Sequence, residues 1–171
     1  MWQLASAFGE IALRRRGPES LPASQFLVAF LLGIYFLTSL FDLGVYDMLT
    51  GRGIAGAAAQ VMLMFGYVFA VLRFFKVDRR YRQTMSAILG ANLVIYFVFV
   101  PVALGSLMAG VPLDSAPLIW FRIGLFLWAV VVEATILARA LSQPLILGFM
   151  FEFLYVLPSL SLSEYFATAP E

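Results

Sequence analysis

The sequence predicts an all-α, polytopic membrane helix bundle of five transmembrane helices preceded by a short interfacial helix. Three observations carry the prediction. Hydrophobic residues make up 63% of the 171 positions, against roughly 45–50% in a soluble domain. Four uninterrupted apolar stretches reach the roughly 20 residues that a helix needs to cross a bilayer, and a fifth comes close. Nine of the eleven Lys and Arg residues fall in alternate gaps between those stretches, the pattern by which basic residues set membrane orientation.

The head, residues 1–24, opens with Trp2, Leu4, Phe8, Ile11 and Leu13 at helical intervals, followed by Arg14, Arg15 and Arg16. This reads as an amphipathic helix at the membrane surface with its arginines among lipid headgroups. The basic cluster precedes an apolar run of about 20 residues with no small-x-small cleavage site behind it, so an uncleaved signal anchor is expected rather than a removed leader. Pro18 and Pro22 end the head, because proline lacks a backbone donor and biases its predecessor away from helix. Ser24 is then placed to cap the first span.

The bundle is expected over residues 25–162, with spans at 25–45, 54–75, 84–109 and 117–141. The last apolar stretch, 144–162, carries Glu152 and Pro158. Charge placement makes it a fifth span, with a re-entrant segment as the alternative. Arg14 to Arg16 occupy the head, Arg73, Lys76, Arg79, Arg80 and Arg82 the second gap, and Arg139 the fourth, whereas the first gap has Arg52 and the third has no basic residue. Basic loops stay cytoplasmic, which puts the N-terminus inside and the short polar tail, 163–171, outside in the periplasm. The basic positions then face lipid headgroups or a partner at the cytoplasmic surface.

Composition excludes several chemistries. Without cysteine or histidine the chain builds no thiolate or imidazole metal site, no disulfide and no His-dependent nucleophilic triad. No metal or other cofactor is implied, and the string Gly51-Arg52-Gly53-Ile54-Ala55-Gly56 matches a dinucleotide fingerprint by accident, since it opens no strand-loop-helix unit. Nothing points to nucleic acid. The partners to expect are membrane lipids and either another membrane protein or further copies of the chain.

The polar residues inside the spans are the informative ones: Asp42, Gln60, Asn92, Glu133 and Glu152. An ionised carboxylate at the bilayer centre costs at least about 2.5–3.5 kcal/mol, so each acid must be protonated, paired or facing a cavity. Spans four and five meet at Ser142-Gln143-Pro144, which makes them antiparallel neighbours. Glu133 and Glu152 lie equally far from that turn, both roughly 14 Å below the surface at 1.5 Å per residue. Asn92 falls in the same layer, with Tyr96 one turn beyond on its face. Helix rotation decides whether these groups meet. If they do, two carboxyls in a dry site cannot both ionise, and the group is either a proton or polar-substrate site or a hydrogen-bonded clamp that fixes helix register.

Asp42 shares a face with Tyr35 and Ser39 near the outer end of span one. Arg122, about 16 Å from Glu133 along its own helix, either snorkels to the outer headgroups or pairs with Asp42. Gly53, Gly56, Ser86 and Gly90 are small residues at helical spacing that let helices approach closely, within the chain or between copies. Pro101 is expected to shape span three by removing one helical hydrogen bond.

The run Leu13-Arg14-Arg15-Arg16-Gly17-Pro18-Glu19-Ser20-Leu21-Pro22-Ala23-Ser24 leading into the first span, Trp128 in the fourth, and Phe-Leu-Tyr-Val-Leu-Pro-Ser in the last resemble small bacterial inner-membrane proteins related to the Yip1-domain superfamily. That resemblance implies a five-helix membrane domain acting in membrane organisation, trafficking or assembly, and it carries over no site residues. The expectation is therefore a non-enzymatic inner-membrane protein, an assembly, scaffolding or accessory subunit of a membrane complex. The alternative is a small proton-coupled transporter or channel using Glu133 and Glu152. Two acids without a histidine make a weak general acid/base set, so an enzyme is not expected.

Overall fold

Apolar periodicity and end signals divide the chain into helices where the sequence places them. A computed structural model describes residues 2–46 and 48–168, with side chains for 4–46 and 48–167. The end of the expected tail, 169–171, and the side chain of Trp2 lie outside the described residues. The helices are α1 (Trp2–Ala12), α2 (Gln25–Val45), α3 (Gly51–Phe74), α4 (Tyr81–Met108), α5 (Ala116–Leu141) and α6 (Leu145–Thr168), with single 3-10 turns at Pro18–Ser20 and Asp78–Arg80. Among the described residues every regular element is helical. Helices α2 to α6 are each long and apolar enough to cross a bilayer.

The ends follow from local chemistry. Ser24 Oγ accepts from Leu27 N at 3.3 Å and Thr50 Oγ1 from Gly53 N at 3.1 Å, each satisfying an orphan donor of a first turn. Helix α5 starts with proline in its first turn and stops at Ser142, whose φ of 55° is left-handed. Only three residues then separate α5 from α6, so the two are antiparallel neighbours as expected. Helix α6 continues unbroken through Pro158 to Thr168. A continuous helix of that length is a fifth span and not a re-entrant arm. It also takes in most of the stretch expected to be tail, because the residues past Leu162 still have a wall to pack on: the Phe166 ring lies 3.0 Å from the position a Cβ on Gly56 would take.

The five spans close into a ring in the order α2, α4, α5, α6, α3, with α3 returning to α2, and α1 lies outside this ring against α4 and α5. One half of the bundle is solid. Leu72, Met85, Ile88, Leu89, Val132 and Ile136 are fully buried there. Phe26, Leu37, Met62, Phe97, Trp120 and Phe153 point outward. Outward-facing apolar side chains on every span are what lipid requires, since lipid gives no hydrophobic drive to bury them. The chain is a multi-pass membrane protein.

Helix α1 does more than lie on a surface. Ala7, Phe8, Ile11 and Ala12 are buried, and the Phe8 ring occupies the space over Gly90 where any Cβ would stand. Gly90 is thus small in order to admit α1. Trp128 Nε1 donates to Ala12 O at 3.0 Å, Arg139 Nη2 to Arg14 O at 2.9 Å, and Gln83 Nε2 to Leu21 O at 2.8 Å. These bonds gather the head, the second gap and the fourth gap at one basic end of the bundle.

The basic residues divide there into two groups. Arg80 Nη1 donates to Ala140 O at 2.8 Å and Ser142 Oγ at 2.9 Å, so it closes the carbonyl end of α5 while its side chain stays exposed at the basic end. A cation suits that end of a helix, where unpaired carbonyls carry negative potential. Arg16 pairs with Glu10 and Arg73 with Asp78 at 3.7 Å. Arg14, Arg15, Lys76, Arg79 and Arg82 are exposed.

Candidate functional site

The polar residues of the spans converge on the interior of the ring. The tightest crossing fixes their rotation. At Gly148 a Cβ would overlap the Ala134 carbonyl oxygen and stand 3.0 Å from Ala138 Cβ, so α6 lies directly on the α5 backbone. One turn further along the same face of α6 is Glu152. It is thereby turned inward, and Glu133 and Glu152 line one cavity. Their exposures are 9% and 3%.

Asn92 joins them as the layer counting predicted. Its Nδ2 donates to Glu133 Oε1 at 2.8 Å. Glu152 differs, since no hydrogen bond among the described residues reaches its carboxyl group. Tyr96 lines the same cavity but reaches the other way, to Thr38 O at 3.3 Å and Asp42 Oδ1 at 3.4 Å. It belongs to the α2 wall rather than to the glutamate layer, because a phenol hydroxyl extends well beyond the turn that carries it.

The cavity has a volume of about 430 Å³. On the basic side it is closed by Met64, Val68, Ile88 and Leu137, which pack around the glutamates and leave a void of only about 10 Å³. Away from that side it runs past Asp42 and Arg122 into a second cavity of about 390 Å³, lined by Tyr46, Met48, Gly53 and Ser163 near the other end of the bundle. Met48 and Ser163 are exposed and Gly53 is half-buried. The result is a passage that starts at the non-basic end and stops blind at the glutamate pair.

Arg122 stands where the two cavities join. The expected ion pair with Asp42 is absent from the salt bridges within 4.0 Å among the described residues, which are those of Arg16 and Arg73. Arg122 Nη1 instead donates to Tyr46 Oη at 2.8 Å, and the guanidinium lies 4.9 Å from the Tyr46 ring centre and 5.7 Å from that of Phe99. Two aromatic faces and a phenol oxygen satisfy a cation without a carboxylate. Asp42 faces the same cavity from the opposite wall.

Gln60 serves a different role. Its Nε2 donates to Ser159 O at 2.7 Å and Ser163 Oγ at 2.6 Å, and its Oε1 accepts from Ser159 Oγ at 3.2 Å. This is interhelical glue between α3 and α6. Tyr67 Oη donates to Phe151 O one turn closer to the basic end of α6 than Tyr155, whose ring lies 5.3 Å from its own.

Sequence reasoning passed over Tyr155 and Ser159, both of which line the cavity. The signal was present: they lie three and seven residues after Glu152 and so share its face. Gly148 was passed over too, one turn before Glu152. Among the described residues no three Asp or Glu side chains converge as metal ligands would. The acids are instead spaced along the passage. Comparison with protein-family models, curated proteins and solved structures finds no match to this chain, so a functional reading has to come from the passage and its side chains.

Proposed function

We propose that the chain is a small proton-coupled transporter of the inner (cytoplasmic) membrane, with Glu133 and Glu152 at the bottom of its substrate path. The observation that carries this is the carboxyl group of Glu152, 3% exposed, without a hydrogen-bonding partner, at the closed end of a half-membrane passage. A clamp that only fixes helix register needs both of its halves satisfied. The Glu133–Asn92 bond meets that description and Glu152 does not. Polar groups kept in a membrane interior at such cost mark substrate or proton paths. The cavity offers carboxyls, an amide, phenols and hydroxyls but no imidazole or thiol, which supports carriage rather than catalysis.

By the placement of basic residues, the basic end with α1 is cytoplasmic, and the C-terminal end of α6 and the mouth of the passage are periplasmic. Membrane lipids surround the spans, and the exposed arginines of the cytoplasmic loop lie among anionic headgroups.

In proteoliposomes under an imposed pH gradient, an entrapped pH-sensitive dye should report flux with the wild-type chain. Glu133→Gln and Glu152→Gln should each abolish it while helical content and expression are kept. Absence of flux in the wild type counts against transport, variants that do not fold count for the clamp, and variants that fold and conduct as the wild type does remove the glutamates from the proton path.

The second reading is an assembly, scaffolding or accessory subunit of a membrane complex. The short connections between spans favour it, as they leave the lipid-facing helices as the main surface for a membrane-protein partner or a second copy. The resemblance to the Yip1-domain superfamily points the same way. Purification in mild detergent as a monomer without a co-purifying protein would remove that reading.

A further inference from the structure

We propose that the intramembrane cavity is a binding site for a monovalent organic ammonium ion with an apolar or aromatic body. The proposal rests on the transport reading only in making this ion the transported species, since the binding site stands by itself.

Size comes first. A volume of about 430 Å³ falls within the range of roughly 300–1,000 Å³ of small-molecule sites and far exceeds the room that a proton or a bare metal ion takes up. The charges then set the sign. Asp42, Glu133 and Glu152 face the cavity against one cation, Arg122, so the acids outnumber it even with one of the two glutamates protonated. Glu152 is more than nine-tenths buried and aimed into the space without a partner, so a positively charged donor from outside the chain is what completes it. A buried carboxylate gains most from a donor that is itself ionised.

The walls set the body. Tyr35, Tyr96, Phe99, Phe126 and Tyr155 line the cavity, and aromatic faces hold alkylammonium groups through the ring quadrupole. The stacking of Arg122 on two rings shows this chain using that interaction where the two cavities join. The acids do not converge on one point, a spacing that serves a ligand with extent rather than a compact divalent ion. Thr38, Ser39 and Ser159 add neutral oxygens along the wall, acceptors for an N–H group on its way to the glutamates.

The experiment uses the full chain purified in mild detergent and two aromatic probes of opposite charge, benzylammonium and benzoate. Isothermal titration calorimetry and ligand-dependent thermal unfolding read binding. The expected result is saturable binding of the cation, a raised unfolding temperature with the cation alone, and about tenfold or greater weakening in Glu152→Gln, the loss of one charge-assisted contact. Arg79→Ala, exposed at the basic end, should bind as the wild type does. Preference for benzoate, binding of neither probe, or a folded Glu152→Gln variant that holds the cation as well as the wild type overturns the proposal. If Glu152→Gln does not fold, the comparison of the two probes on the wild type decides. Flux that persists without cation binding refutes the ligand class and leaves transport standing, whereas cation binding without flux keeps the site and refutes transport.

Discussion

Replacing Gly148 with alanine adds one methyl group at the point where α6 rests on α5. That methyl would overlap the Ala134 carbonyl oxygen and lie 3.0 Å from both the Ala134 carbonyl carbon and Ala138 Cβ, where ordinary contact begins at 3.4 Å. Two of these three atoms are backbone of a buried helix turn, so no side-chain rotation relieves the overlap and the helices must separate by about an ångström at that point. Overpacking of this kind costs about 1–3 kcal/mol. It also opens a gap along the rest of the crossing, and dispersion contacts are lost steeply with distance. Reversible unfolding in mixed detergent micelles, followed by far-UV circular dichroism, measures the change. Gly66 in α3 is the control, because a Cβ there meets no atom within 4 Å, and Gly66→Ala should be neutral or stabilising by about 0.5–1 kcal/mol through helix propensity. Equal stability of Gly148→Ala and Gly66→Ala would refute the close crossing and, with it, the inward rotation of Glu152.

Arg80→Ala should destabilise by about 1 kcal/mol, the scale of a cation at a helix C-terminus, while Arg79→Ala should leave the same unfolding curve unchanged. Gln60→Leu removes the contacts from α3 to Ser159 and Ser163, and its expected cost in a micelle titration is about 0.6–1.7 kcal/mol. Single cysteines introduced at Arg79 and Tyr165, both exposed, should react with an impermeant maleimide from opposite sides of the membrane. Labelling from the same side rules out five crossings, and the native chain gives no background thiol.

The sequence by itself determined what burial and counting can determine. Span length against bilayer thickness gave the number of helices. The Ser142-Gln143-Pro144 turn made α5 and α6 antiparallel, and 1.5 Å per residue put Glu133, Glu152 and Asn92 in one layer. Depth is a one-dimensional quantity and can be read along the chain. Rotation and the order of helices around the ring are not, because in lipid the apolar faces carry little directional signal and tertiary contacts choose among them. The Gly148 crossing decided that Glu152 faces inward. The Phe8 contact with Gly90 decided that the small face of α4 receives α1 rather than a second chain. For Arg122, two rings and a phenol stand within contact where Asp42 does not reach an ion pair, and for Arg80 the open carbonyls of α5 take one nitrogen of the guanidinium. In each case a long flexible side chain could reach several partners, and only the folded arrangement fixed which one stood within hydrogen-bonding distance.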